Sequence, residues 1–188
     1  GLPLEKVRFE HPDTARVPDS GPTVASRSLM IVGELLRRCA VRLRETWVDG
    51  EEQMVEEHFK EPDFMIPFYL DKFQGDAYPT YAWGVNAIEV EVDTYTGLTK
   101  ILGAYGSFDV GTPMDEGIVM GQMEGGFLQG IGYASMESMD YDSRGRIRNN
   151  SFSDYLIPTA ADVPNLTCML HVEKYPDGPY GAKGAGEL

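Results

Sequence analysis

Trp83-Gly84-Val85-Asn86-Ala87-Ile88-Glu89-Val90-Glu91-Val92-Asp93 is followed at once by Thr94-Tyr95-Thr96-Gly97. Val85, Ala87, Glu89 and Glu91 fall on one side of an extended chain, and Asn86, Ile88, Val90 and Val92 fall on the other. This period of two predicts a half-buried strand. Residues 93–97 carry turn chemistry, and Leu98 to Val110 reads as the returning strand, so the pair is a β-hairpin. Glu89, Glu91 and Asp93 read as a solvated face, with no spacing that supports a metal role.

Working outward, Met136 to Tyr141 and Ile147 to Ser151 flank Asp142-Ser143-Arg144-Gly145 and predict a second hairpin. Leu166 to Glu173 alternates as a last strand, with Leu166, Cys168, Leu170 and Val172 opposite Thr167, Met169 and His171. Upstream, Leu29, Val32, Leu35, Leu36, Cys39, Ala40 and Leu43 recur at helical spacing through about Trp47. Asp49 to Glu61 reads as a short second helix with Met54, Val55 and Phe59 inward. Phe64 to Tyr81 is an aromatic loop broken by prolines, open to pocket-lining or to packing. The prolines of residues 1–23 forbid a continuous helix there. The expected class is α+β, a mixed and largely antiparallel sheet with helices packed on it, with 1–188 as a single unit.

Charge and cysteine usage narrow the function. The 188 residues carry a net charge of −14, which opposes binding to a phosphate backbone, so no nucleic-acid partner is expected. Cys39 and Cys168 are far apart and form neither a disulfide framework nor a metal-type spacing, which points to a reducing cytoplasm. No apolar run reaches membrane-span length and no signal-peptide pattern opens the chain, so no membrane association is expected.

Three stretches carry candidate chemistry. Pro18-Asp19-Ser20-Gly21-Pro22-Thr23-Val24-Ala25-Ser26-Arg27-Ser28 leads into the first helix, and hydroxyls beside free helix-start N–H groups suit either a phosphate or simple N-capping. Gly117 to Gly132 reads as a helix despite its six glycines, each costing about 1 kcal/mol against alanine. Such a helix needs close approach by a ligand or another element, and packing is expected at Gly126 and Gly130. Gln122, expected at the start of this helix, offers donor and acceptor atoms to a heterocycle. Finally, Gly178-Pro179-Tyr180-Gly181-Ala182-Lys183-Gly184-Ala185-Gly186-Glu187-Leu188 presents one carboxylate amid small residues. Glu187 is then a candidate general base, unless the run is a flexible tail.

Residues 18–28, Gly-Gln-Met-Glu-Gly-Gly-Phe-Leu-Gln-Gly at 121–130 and Lys-Gly-Ala-Gly-Glu at 183–187 occur in the order found in a known family. Together they resemble the C-terminal half of the molybdenum-binding subunit of the xanthine dehydrogenase and aldehyde oxidase family. The hairpin and Tyr155-Leu156-Ile157-Pro158-Thr159 are similar to it as well. The resemblance implies that Glu187 is the catalytic base. It also implies that Ala25, Ser26, Arg27 and Ser28 wrap a molybdopterin dinucleotide carrying molybdenum, and that Gln122 contacts the pterin. No residue of this chain is expected to ligate a metal itself. The implied reaction is hydroxylation of a purine or related heterocycle with a water-derived oxygen, as in xanthine dehydrogenase. The alternatives are an aldehyde-oxidising relative and a non-catalytic assembly piece. Iron–sulfur clusters and FAD are expected on other domains or subunits of an oligomeric enzyme. The family's upstream glycine-rich motifs are missing, so the chain is expected to be a truncated fragment that is inactive alone.

Overall fold

A computed structural model describes residues 3–186 and contains two long helices and three strands, in the order α1 (Arg27–Thr46), β1 (Trp83–Val92), β2 (Thr99–Asp109), α2 (Glu116–Ser135) and β3 (Leu166–His171). Two short 3-10 turns, Leu4–Lys6 and Pro179–Gly181, complete it. The class is α+β, and the sheet is mixed, ordered β1-β2-β3. β1 and β2 form the expected antiparallel hairpin, whose turn is closed by the Asp93 carboxylate accepting the Tyr95 N–H at 2.8 Å. A bulge at Leu102 moves the pairing from Glu89↔Gly103 to Val90↔Ile101. β3 then joins the free edge of β2 in parallel, Ala104↔Leu166 through Asp109↔His171.

The core is one layer between this sheet and α2. Ala104, Phe108 and Val110 from β2 and the residue after it meet Val119, Met123, Phe127 and Ile131, a stripe repeating every four residues along α2. Leu166, Cys168 and Leu170 of β3 pack against that cluster, and Thr167, Met169 and His171 face outward, as their alternation predicts. Asp115 caps α2, its carboxylate accepting the Ile118 N–H at 3.0 Å. Gln122 therefore lies in the second turn of the helix and not at its start.

Several elements differ from their sequence reading, each for a visible reason. β1 is an edge strand exposed along its whole length, because nothing among the described residues covers either of its faces. α1 leans on the Pro179–Gly181 turn and does not pack on the sheet. Its one buried residue is Glu34, held by Arg37 at 2.7 Å and Arg38 at 2.9 Å. Residues 49–61 form no helix. Gln53 instead donates to the Thr46 carbonyl and accepts the Val48 N–H, and Arg42 pairs with Glu57 at 2.6 Å, which keeps the segment extended beside α1. Met54 is consequently 91% exposed. The second hairpin reduces to one bridge, Tyr141↔Ile147, around the Asp142 turn. On α2, a side chain at Gly130 would meet open space, whereas one at Gly132 would strike Pro158 at 2.5 Å. Gly132 is thus tightly packed and Gly130 is not, while Gly126 is half-buried.

Candidate functional site

The first helix begins in an unusual way. Ala25 (φ 47°) and Ser26 (φ 60°) are consecutive non-glycine residues in the left-handed region, and the Arg27 N–H closes the turn onto the Val24 carbonyl at 2.8 Å. Such residues cost on the order of 1–3 kcal/mol each and persist only where surroundings impose them. Ser26 occupies the N-cap position, yet no side chain caps the helix. The capping role open to Thr23 or Ser26 is therefore not taken up. Thr23 Oγ1 and Ser28 Oγ lie 2.9 Å apart instead, both at the surface. The Arg27 guanidinium donates to the Ser20 carbonyl, tying the 18–21 arm to the helix start.

The turn is seated against the glycine-rich run near the other end of the chain. A Cβ at Gly184 would lie 2.3 Å from the Ala25 carbonyl oxygen, and one at Gly186 would lie 2.9 Å from Ala25 Cα. Backbone thus rests on backbone, an approach open only to glycine. Between these two, Ala185 is buried in the same apolar cluster as Val119 and Met123 of α2. The flexible-tail reading fails for residues 181–186, of which 181–183 are hydrogen-bonded and 184–186 are buried or half-buried.

A second anchor lies one residue earlier. Lys183 Nζ donates to Asp109 Oδ2 at the end of β2, and the two side chains are 6% and 9% exposed. Asp109 Oδ1 also accepts the Gly111 N–H at 2.9 Å and the Glu173 N–H at 3.1 Å. Burial works to raise the Asp109 carboxyl, but the Lys183 ammonium and these two N–H groups outweigh it and hold the group below the usual carboxylate range. The Lys183 N–H donates to the Val110 carbonyl at 2.9 Å, and Gly111 bridges Ala182, so the run extends the sheet beyond β2.

Beside this junction lies an open pocket of about 310 Å³, lined by Val24, Ala25 and Arg27 from the turn, Tyr78 and Tyr81 from the aromatic loop, and Gly184 and Gly186. Tyr78 and Tyr81 meet edge to face, with centroids 6.1 Å apart. Two of the three sequence motifs are thus brought to one place. The third is joined to it indirectly, because Gln122 is exposed and outside this pocket while its neighbour Met123 packs with Ala185. Glu187 lies outside the described residues. Of the two roles open to the 64–81 loop, pocket-lining is the one taken at Tyr78 and Tyr81, which the sequence did not single out, and sequence reasoning missed the Asp109–Lys183 pair altogether. Among the described residues no three His, Cys, Asp or Glu side chains cluster to hold a metal, and no helix is long and apolar enough to cross a membrane.

A family model described as the molybdopterin cofactor-binding domain matches residues 1–67 and 47–164. The chain belongs to that family. Among the relatives of this cofactor-binding domain, aldehyde oxidase 4 of Cavia porcellus is 28% identical over 207 residues, covering 100% of this chain and 15% of that protein. Xanthine dehydrogenase/oxidase of Gallus gallus is 29% identical over 209 residues, again 100% of this chain and 15% of that protein. The solved aldehyde oxidoreductase of Desulfovibrio gigas superposes with a TM-score of 0.69 at 26% identity, covering 100% of this chain and 22% of that one. The resemblance to molybdenum hydroxylases and the α+β class both stand. The chain spans about a seventh of the length of the two curated relatives.

Proposed function

We propose that this chain is the part of a molybdenum hydroxylase that holds the dinucleotide form of the molybdopterin cofactor and supplies the catalytic base. The observation that carries the reading is the left-handed Ala25–Ser26 turn, uncapped by any side chain and seated on Gly184 and Gly186 beside an open pocket. The donor set suits a phosphate-bearing cofactor. The Ser26 and Ser28 hydroxyls and the Ser28 N–H supply hydrogen bonds, since the Arg27 and Leu29 N–H groups are already bonded to the Val24 and Ser26 carbonyls, and the helix start adds the positive end of its dipole. Gly121 and Gly125, where an added side chain would meet open space, leave room for a heterocycle to approach the Gln122 amide.

The bound molybdenum cofactor supplies oxygen transfer to the substrate carbon and a sink for the electrons removed from it. The chain's own contribution is to bind and to move a proton. Ser26 and Ser28 orient the phosphates, Arg27 keeps the preceding arm against the helix start, and Gln122 orients the pterin. Glu187 would serve as general base, taking the proton from the hydroxyl oxygen that attacks the substrate.

The favoured substrate is a purine or related heterocycle, as in xanthine dehydrogenase. The names of the relatives favour an aldehyde equally, and comparing turnover of a purine and an aldehyde by the complete enzyme decides between them. An assembly piece without chemistry would turn over neither. Iron–sulfur and flavin domains or subunits complete the enzyme, a reading supported by the small share of each relative that this chain spans. The absence of a disulfide-type cysteine pattern favours the cytoplasm.

One experiment separates binding from catalysis in the complete enzyme. Ser26→Ala/Ser28→Ala removes hydrogen bonds to charged oxygens, each worth roughly 1.5–3 kcal/mol, and is expected to lower molybdenum content. Glu187→Gln keeps the shape, and is expected to retain molybdenum while losing ~10²–10⁴-fold or more in rate. Full molybdenum occupancy in the double serine variant removes the phosphate assignment. Turnover within a few-fold of wild type in Glu187→Gln removes the base.

A further inference from the structure

The geometry points to Asp109 and Lys183 as positioning residues: their buried ion pair fixes the 184–186 run so that it holds the Ala25–Ser26 turn in its left-handed form. The inference rests on reading that turn as the cofactor cradle. Neither side chain lines the pocket, and both are almost wholly buried, so any action on it is through the backbone.

The path from one to the other is short and continuous. Asp109 gathers three segments onto one carboxylate, with the Gly111 N–H and Glu173 N–H on Oδ1 and the Lys183 ammonium on Oδ2. The Lys183 backbone N–H is bonded to the Val110 carbonyl, so side chain and main chain of the same residue are both fixed to the end of β2. The Gly181 carbonyl accepts from Thr112 and from Tyr175, which fixes the entry to the run. The next residue after Lys183 is Gly184, which sits directly on the Ala25 carbonyl, and Gly186 follows on Ala25 Cα. Two left-handed residues at 25 and 26 have no glycine to ease them, so their geometry depends on this contact. The pair at the end of β2 and the turn at the start of α1 are therefore one mechanical unit, although they lie far apart in sequence.

Native-state amide hydrogen exchange on the full 188-residue chain tests this, because local opening is read amide by amide. The reporter is the Arg27 N–H, bonded to the Val24 carbonyl across the turn. The controls are α1 amides from residue 33 to 41 and the amides of α2. In Lys183→Met, exchange at Arg27 is expected to accelerate by about tenfold or more, with the control amides within about threefold of wild type. Equal acceleration at reporter and controls overturns the proposal, because that is the mark of general loss of stability. An unchanged Arg27 rate overturns it as well. If Lys183→Met does not fold, Asp109→Asn is read by the same criteria, since it keeps the shape of Asp109 and an acceptor for the neighbouring N–H groups. The measurement needs no cofactor. A wrong cofactor reading would therefore show in the molybdenum content of the serine variant and leave the exchange pattern intact, and a wrong positioning proposal would do the reverse.

Discussion

At the scale of single residues, the least obvious feature is that the buried charges, Glu34 of α1 and the Asp109–Lys183 pair, do not belong to the candidate chemistry. Asp109 and Lys183 are paired inside, and removing one partner of such a pair leaves an uncompensated charge at a cost of about 3–5 kcal/mol. The pair also gives a signed pH dependence. The folded Asp109 carboxyl sits below its unfolded value of roughly 3.9. Its contribution to stability is therefore fully present above that unfolded value and lost as pH falls through the lower folded one. Denaturant unfolding at a series of acid pH values is expected to show a shallower fall in stability for Asp109→Asn than for wild type. Equal slopes would contradict the assignment. None of this was legible in sequence, because the partners are 74 residues apart and Lys183 reads there as one more residue of a glycine-rich run. Ala25 and Ser26 were legible as a motif but not as a strained turn, since no propensity predicts left-handed alanine.

At the scale of elements, glycines separate into those that fit against something and those that do not. Gly184→Ala would press a methyl group to 2.3 Å from the backbone oxygen of Ala25, and backbone cannot swing aside as a flexible side chain can. Thermal unfolding is expected to show a loss of roughly 1–3 kcal/mol, the range for overpacking. Gly130→Ala is expected to gain up to about 1 kcal/mol, because its added methyl meets open space on an α-helix. A pair of equal effects would mean that the run at 184–186 is not seated on the turn. Both long helices, the hairpin and the last strand were legible from periodicity, since each has a face that meets the rule of 3.6 or of 2. Residues 49–61 were not, because their extended path is set by Gln53 reaching the last turn of α1 and by the Arg42–Glu57 pair. Side-chain contacts across a chain reversal leave no period to read. The second hairpin was over-read for a related reason: its Asp142 turn is real, but no ladder follows it beyond one bridge.

At the scale of the whole molecule, the chain holds a small core and a large exposed apolar surface. Val85, Ile88, Val90 and Val92 of β1 are each about half exposed or more, and both faces of that strand lack a cover among the described residues. The alternation that predicted a half-buried strand is present without the burial, and the relatives that share this domain are several times longer. What the described residues do organise is the junction of the α1 start, the aromatic loop and the 181–186 run, tied to the sheet through Asp109 and Lys183. The most direct test is a structure of the complete enzyme containing this chain, with data collected at the molybdenum absorption edge to locate the metal. The account predicts cofactor phosphate oxygens within hydrogen-bond distance, about 3 Å, of the Ser26 and Ser28 hydroxyls at the start of α1. Phosphates bound elsewhere, with the Ala25–Ser28 turn free of the cofactor, would contradict it.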